Sequence, residues 1–258
     1  MTSKERMLIA MRNGQPDSVP VAPDMSNMIP CRLTGKPFRD IYLYQDPPLW
    51  EAYINAVKHF GFDGWIPVPV ELEQDIVDLD SYAGWDEVIV KRTSDRTYTR
   101  FCRPENGGLV WDSYCRIYYD DNPPTRDMEL DKIGLPKGEP SDWVSVVPRR
   151  RYEGTVAFFA AREAMGDRGV VGLSVGLPGI NVKRPEQAYE YYDDREASRR
   201  RCSAMCSRII RRTEELLGLE PDFLLIAISG FMICNPEPIL RDLALPTLKT
   251  LTRMCRDI

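Results

Sequence analysis

The sequence predicts an α/β chain made of four strand-then-helix units of a parallel barrel, with a β-hairpin inserted between the second and third. Three observations carry this. Val170-Val171-Gly172-Leu173-Ser174-Val175 is a near-continuous apolar run, and such runs mark strands buried on both faces in a parallel sheet under helices. Asp222–Ser229 repeats that character after a long helical stretch, and alternating β and α segments give a parallel architecture. Around residues 85–119 the rhythm changes to short alternating runs flanking Asn106-Gly107-Gly108, which is the pattern of a hairpin or small meander. A closed parallel barrel needs eight strands, so 1–258 reads as one incomplete barrel domain that ends before the second half.

The elements follow in order. Ser3 to Asn13 predicts an amphipathic helix, with Ser3 as cap, Met7, Leu8, Ala10 and Met11 on its apolar side, and Asn13-Gly14 ending it. Val19 to Met25 predicts a first strand, irregular because Pro20 and Pro23 interrupt it. Asp46 to Phe60 predicts a helix with Pro47 and Pro48 in its first turn, and Phe62 to Val70 a second strand. Asp120 to Asp142, rich in charge, proline and glycine, predicts a surface connection. Tyr152–Met165 predicts a helix and Gly169–Gly176 the third strand. A long helix spans Pro185 to Leu217 with a break near Asp193-Asp194, Asp222–Ser229 is the fourth strand, and Pro236–Asp257 the fourth helix, running out at Arg256-Asp257-Ile258 with no glycine stop.

Composition excludes several classes of function. A formal net charge of -5 argues against a general nucleic-acid binder, which carries a basic domain. No stretch approaches the ~20 apolar residues of a membrane span, and Met1-Thr2-Ser3-Lys4-Glu5-Arg6 lacks the apolar core of a signal peptide. Seven scattered cysteines fit reduced thiols in a cytoplasm. The single histidine, His59, closes a predicted helix, where an imidazole interacts with the last carbonyls. That leaves almost no histidine for zinc or for a His-centred triad.

The order of several short stretches resembles the uroporphyrinogen decarboxylase superfamily, which includes the decarboxylase and methyltransferases that move methyl groups between corrinoids and thiols. The stretches are Lys4-Glu5-Arg6-Met7 leading to Pro16-Asp17-Ser18-Val19-Pro20-Val21, then Phe60-Gly61-Phe62-Asp63-Gly64 and Gly176-Leu177-Pro178-Gly179. Tyr191-Tyr192-Asp193-Asp194-Arg195-Glu196, Pro221-Asp222-Phe223, Asn235-Pro236-Glu237 and Leu245-Pro246-Thr247-Leu248-Lys249 continue it. The resemblance implies the N-terminal half of a TIM (β/α)8 barrel. Three departures bear on chemistry. The decarboxylase grips substrate carboxylates with an arginine-rich stretch after its first strand, where this chain has Asp24-Met25-Ser26-Asn27-Met28-Ile29-Pro30. Its catalytic aspartate corresponds to Val70, with Glu71 adjacent, and stabilising a pyrrole cation needs a carboxylate aimed at the ring. The zinc ligands of the thiol-methylating relatives, a histidine and cysteines, come from strands beyond residue 258.

Barrel enzymes place ligands at the C-terminal ends of their strands. That nominates Asp24, Ser26 and Asn27 after the first strand, Glu71 and Glu73 after the second, Asn181 after the third and Ser229 after the fourth. Asp24 and Glu71 are the candidate general acid or base, facing a shared cavity, if burial favours the protonated form. The competing reading has Asp24 and Asn27 stabilise a turn and Glu71 in solvent. Gly176 and Gly179 could admit a ligand close to the backbone or simply form a tight loop. Cys202 and Cys206 share one helix face and read as core rather than metal ligands, while Cys234 is the thiol best placed for chemistry. Arg149-Arg150-Arg151 and Arg199-Arg200-Arg201 read as solvated faces.

The expectations are therefore a corrinoid-linked methyltransferase as the full-length parent, with a divergent tetrapyrrole decarboxylase or a non-catalytic assembly subunit as alternatives. This chain alone is expected to be inactive and to bind no cofactor or metal, zinc and a corrinoid belonging to the parent. Its partners are a small-molecule or corrinoid-protein substrate, with no nucleic acid and no membrane. A missing C-terminal half or a second copy of the chain is expected to cover the apolar fourth strand.

Overall fold

Thr2, one residue before the expected cap, opens the first helix. Its hydroxyl accepts from the Glu5 amide and the Glu5 carboxylate accepts from the Thr2 amide, a complete capping box that starts α1 (Ser3–Met11). The computed structural model describes residues 1–68, 84–149, 155–176, 185–226 and 236–256. Two compact units divide the chain, Met1–Ile66 with Glu71–Val170 and Pro67–Val70 with Val171–Ile258. The architecture is mixed α/β.

In the first unit Val19–Met25 does not form the expected strand. Pro20 and Pro23 delete two amide donors, so a regular ladder is not available. One residue of the segment is nevertheless held as a neighbouring strand would hold it. Val21 donates its amide to Asp63 Oδ2 at 2.8 Å and accepts the Asp63 amide at 2.9 Å. Arg6 joins the same carboxylate through Nη1 at 2.6 Å and binds Asp17 through Nε at 2.7 Å. Burial works to raise the Asp63 carboxyl, but the Val21 amide, the Ser3 hydroxyl and Arg6 together hold it below the usual carboxylate range.

Two short helices, α2 (Met28–Leu33) and α3 (Phe38–Tyr42), fill a stretch with no clear periodicity, and Cys31, Phe38 and Ile41 form their small core. The next helix starts later than expected, as α4 (Leu49–Phe60), because Pro48 serves as its cap. It buries Ala52, Ile54, Ala56 and Val57 and ends at Gly61, whose φ of 71° is left-handed. His59 is exposed in the last turn, its ring edge-on to Phe60, and it is Gly61 whose amide caps the helix by donating to the Val57 carbonyl. The strand β1 (Gly64–Val68) follows.

The insertion is larger than a hairpin over 85–119. It is a six-stranded antiparallel sheet of β2 (Asp86–Arg92), β3 (Arg96–Glu105), β4 (Gly108–Trp111), β5 (Tyr114–Tyr119), β6 (Thr125–Glu129) and β7 (Val144–Ser145). The order is β6-β5-β3-β2-β7, with β4 also on β3. The β3–β4 turn is the expected one, Asn106 and Gly107 both lying at positive φ. The supposed surface connection Asp120–Asp142 instead supplies β6 and a 3₁₀ turn over Leu130–Ile133. Cys115 pairs with Met128 across β5 and β6, and Leu130 completes a core with Tyr98, Cys115 and Ile117. Met128, Leu130, Ile133 and Leu135 pack into this core, so four apolar side chains recruit an otherwise charged stretch.

Helix α5 (Val156–Met165) leads through a short 3₁₀ turn into β8 (Gly169–Val175). A Cβ at Gly169 would lie 2.0 Å from the Gly64 carbonyl oxygen, so only glycine permits that backbone approach.

In the second unit β8 pairs in parallel with β9 (Leu224–Ile226), Leu173 opposite Leu224 and Val175 opposite Ile226. Among the described residues this sheet has the order β1-β8-β9. A Cβ at Gly172 would meet the Phe223 carbonyl oxygen at 2.5 Å, which explains the glycine in an otherwise branched run. The long helix breaks where expected, into α6 (Pro185–Asp193) and α7 (Arg195–Leu217), and the Asp194 carboxylate caps the second by accepting the Ala197 amide at 2.9 Å. The last helical region divides into α8 (Glu237–Ile239), a π-helical turn over Leu240–Ala244 and α9 (Leu245–Met254). Pro246 lies in the first turn of α9, and a proline there has no amide to return to residue 242. No helix of the described residues is long and apolar enough to cross a membrane.

Asp63→Asn keeps the shape and removes the charge. It is expected to lower stability by roughly 2 kcal/mol at neutral pH, the value of a charge-assisted hydrogen bond. Because the folded carboxyl titrates below its unfolded value of about 3.9, its contribution is present above that pH and is lost as acid protonates the folded form. Urea titrations from pH 7 to pH 2 should therefore show a shallower acid limb in the variant, and identical limbs would contradict the assignment. The three residues of β9 are only half-buried and stand at one end of their strand order, where apolar edges template pairing. Sedimentation at micromolar concentration is expected to show self-association, and a monomer at all concentrations would refute it.

Candidate functional site

The turn before α2 gathers three of the nominated residues. Asp24 is exposed and accepts the Ser26 amide at 2.9 Å. Ser26 sits at a left-handed φ of 54° and its hydroxyl accepts the Met28 amide. These are the bonds of a turn, so in this structure Asp24 stabilises backbone. Asn27 does more. Its Oδ1 accepts the Tyr53 hydroxyl at 2.8 Å, joining the start of α2 to α4.

Three residues that the sequence reading did not nominate surround Asn27. Cys31 is completely buried one turn into α2, and burial pushes its thiol up to about 11. Tyr42, at the end of α3, has a buried hydroxyl with no hydrogen-bond partner of good geometry, near the Asn27 amide and the Cys31 thiol. Tyr53 is raised by burial first and then by the Asp24 charge. At neutral pH the cluster is thus a set of neutral donors, two phenols and a thiol, beside one exposed carboxylate. It can bind and orient a polar group, and it holds no preformed nucleophile. A tyrosine between buried Ala52 and Ile54 was the one available signal, since a hydroxyl at the margin of an apolar helix face needs a partner.

Gly176 is exposed directly after β8. Glu71, Glu73, Gly179, Asn181, Ser229 and Cys234 lie outside the described residues, so the proposed approach of Asp24 to Glu71 does not enter the geometry. Among the described residues no group of three or more His, Cys, Asp and Glu is arranged to hold a metal ion.

A second polar cluster lies in the other unit, on a groove of about 270 Å³ lined by Arg199, Cys202, Cys206, Asp242, Thr247 and Thr250 among others. Cys202 belongs to a core with Tyr191, Ile239 and Leu243, as its helix face predicts, and Cys206 packs half-buried against it. Asp242 accepts the Tyr191 hydroxyl at 2.8 Å and pairs with Arg199 at 3.0 Å. Arg199, ahead of burial, holds that carboxyl below its ordinary range. Of the two basic runs, Arg149 pairs with Asp46 at 2.7 Å and Arg199 with Asp242 and Glu196. Both side chains are about half or more exposed, so these ion pairs lie on solvated faces, as expected.

No protein-family model matches this chain, and no curated protein and no solved structure matches it.

The orphaned hydroxyl and the paired one should respond oppositely to deletion. Tyr42→Phe removes an unsatisfied buried group and is expected to leave stability unchanged or raise it. Tyr53→Phe strands the Asn27 oxygen and is expected to cost about 1 kcal/mol. Urea midpoints of the two variants decide it, and a loss in Tyr42→Phe as large as that in Tyr53→Phe would show that the Tyr42 hydroxyl is bonded.

Proposed function

We propose that this chain is the N-terminal half of a uroporphyrinogen decarboxylase-like barrel whose parent activity is corrinoid-linked methyl transfer. The observation that carries the reading is a device used twice. Asp63, just before β1, exchanges two hydrogen bonds with Val21. Asp222, just before β9, exchanges the same two with Val171 of β8, accepting its amide at 2.9 Å and donating to its carbonyl at 3.0 Å. In both places an aspartate at the start of one strand fixes the neighbour preceding it, as the successive strands of a parallel barrel require. The 19–25 segment, though not a strand, is held at Val21 where a barrel's first strand would lie. The Arg6, Asp17 and Asp63 bonds also join three of the stretches on which the family resemblance rests.

Methyl transfer is favoured over decarboxylation by the state of Asp24. Stabilising a pyrrole cation calls for a desolvated, aimed carboxylate, and Asp24 is exposed and bonded to its own turn. The proposed reaction would transfer a methyl group to a thiolate substrate, with a corrinoid bound by the parent protein supplying the methyl group and keeping the electron pair of the broken bond. Asn27, Tyr42 and Tyr53 would orient the polar edge of a substrate, with the exposed Asp24 beside them.

The test is demethylation of methylcob(III)alamin with a small thiol, followed by its visible spectrum. An extended protein, this chain joined to the second half of such a barrel, is expected to catalyse it, and residues 1–258 alone are not. Release of carbon dioxide from uroporphyrinogen without methyl transfer would replace this reading with a decarboxylase. Failure of both assays by the extended protein would leave the assembly-subunit reading in its place.

A further inference from the structure

Cys202 and Cys206 stand one helical turn apart on α7, with their sulfurs 3.8 Å from each other. Each is positioned by a contact from a different element. Cys202 Sγ donates to the Leu243 carbonyl at 3.3 Å, within the π-helical turn, and Thr247 Oγ1 donates to Cys206 Sγ at 2.8 Å. Insertions of this kind into helices often mark functional sites. Both cysteines line the groove described above, Cys206 half-buried and Cys202 beneath it.

Three kinds of thiol chemistry can be weighed here. Disulfide formation would have to close the sulfurs from 3.8 Å to about 2.0 Å. It also starts from a thiolate, and burial, followed by the neighbouring Cys206, pushes the Cys202 thiol up to about 12. A metal cation meets the same obstacle, because it must displace both protons, and no third acidic or histidine ligand is arranged with the pair among the described residues. Condensation with a hydroxide of trivalent arsenic has no such requirement. Two S–H and two As–OH bonds break, two S–As bonds form, and two water molecules leave. No electron is transferred and no net charge is created inside the protein.

We propose that the Cys202–Cys206 pair is a binding site for a trivalent arsenical, R–As(OH)₂, entering through the groove between α7 and the π-helical turn. The first sulfur captures the arsenic and the second closes a chelate. The organic group then lies in the groove toward Thr250, and the Arg199–Asp242 pair forms one wall.

Phenylarsine oxide, which hydrates to this form in water, is the probe. The intact protein, reduced and assayed with a large excess of a monothiol, is expected to take up one phenylarsenic group by mass and to release it to a small dithiol. Cys202→Ser and Cys206→Ser should each weaken binding roughly a hundredfold, because the second bond is intramolecular. Cys255→Ser, at an exposed thiol elsewhere, should not. Since Cys202 is a core residue, a readout without substitution accompanies these. Bound probe should protect Cys206 of the wild-type chain from maleimide, read by peptide mass mapping. Equal binding by Cys206→Ser, or full maleimide labelling of Cys206 with the probe bound, would overturn the proposal.

Discussion

Asp63 is the residue on which the first unit's N-terminal architecture turns. A carboxylate this little exposed is costly to desolvate, and it persists because each face is satisfied: the Val21 amide on one oxygen and Arg6 on the other. Arg6 is on α1, Val21 is in a proline-broken segment and Asp63 introduces β1, so one charge fixes three pieces of chain that share little apolar surface. Asp222 repeats the arrangement with Val171, its carboxylate accepting the Val171 amide at 2.9 Å. Substituting a side-chain acceptor for a ladder bond lets the chain start a strand beside a neighbour that prolines keep irregular.

The insertion is organised around a different buried charge. Arg100, in β3, is 1% exposed, and its guanidinium donates to backbone carbonyls, with the Asp112 charge nearby. Nη1 donates to the carbonyls of Gly138 at 2.7 Å and Pro136 at 3.3 Å, and Nη2 to those of Asp112 at 2.6 Å and Lys137 at 3.2 Å. The group also lies over the Trp111 ring at 5.2 Å. Burial pulls its pKa down, yet an arginine remains charged. Loop carbonyls, which would otherwise be left without donors, supply the neutralising dipoles. A glycine- and proline-rich loop is thereby held against the sheet, and Arg100 is the physical reason that 136–138 is not a free surface connection.

These two charges also explain which features could be read from the sequence. The double-sided burial of β8, the Asn106-Gly107 turn, the Gly61 stop and the Asp194 break are local, since each depends on side chains within a few residues. The strand expected over 19–25 failed because its apolar pattern is outvoted by two missing amides. The extent of the insertion was underestimated because β6 is stabilised by Cys115 and Leu130 packing across strands, and its own composition reads as a linker. At the site, Asp24, Ser26 and Asn27 share one turn, because they are neighbours in sequence. Their neighbours Cys31, Tyr42 and Tyr53 were not foreseen, because they come from three separate helices whose packing no spacing encodes.

The protonation states of the described residues narrow the chemistry further. Every thiol with a resolved shift, Cys31, Cys102, Cys115, Cys202 and Cys255, is pushed up, chiefly by burial. The shifted phenols of Tyr42, Tyr53, Tyr118 and Tyr191 move the same way. The shifted carboxyls of Asp17, Asp46, Asp63, Asp95 and Asp242 move down, each beside an arginine. Groups in this pattern are fixed as neutral donors or as paired anions, whereas a general base works best when its pKa is near the working pH. These shifted groups are thus suited to hold and orient a reactant, and none of them is poised to take a proton near neutral pH.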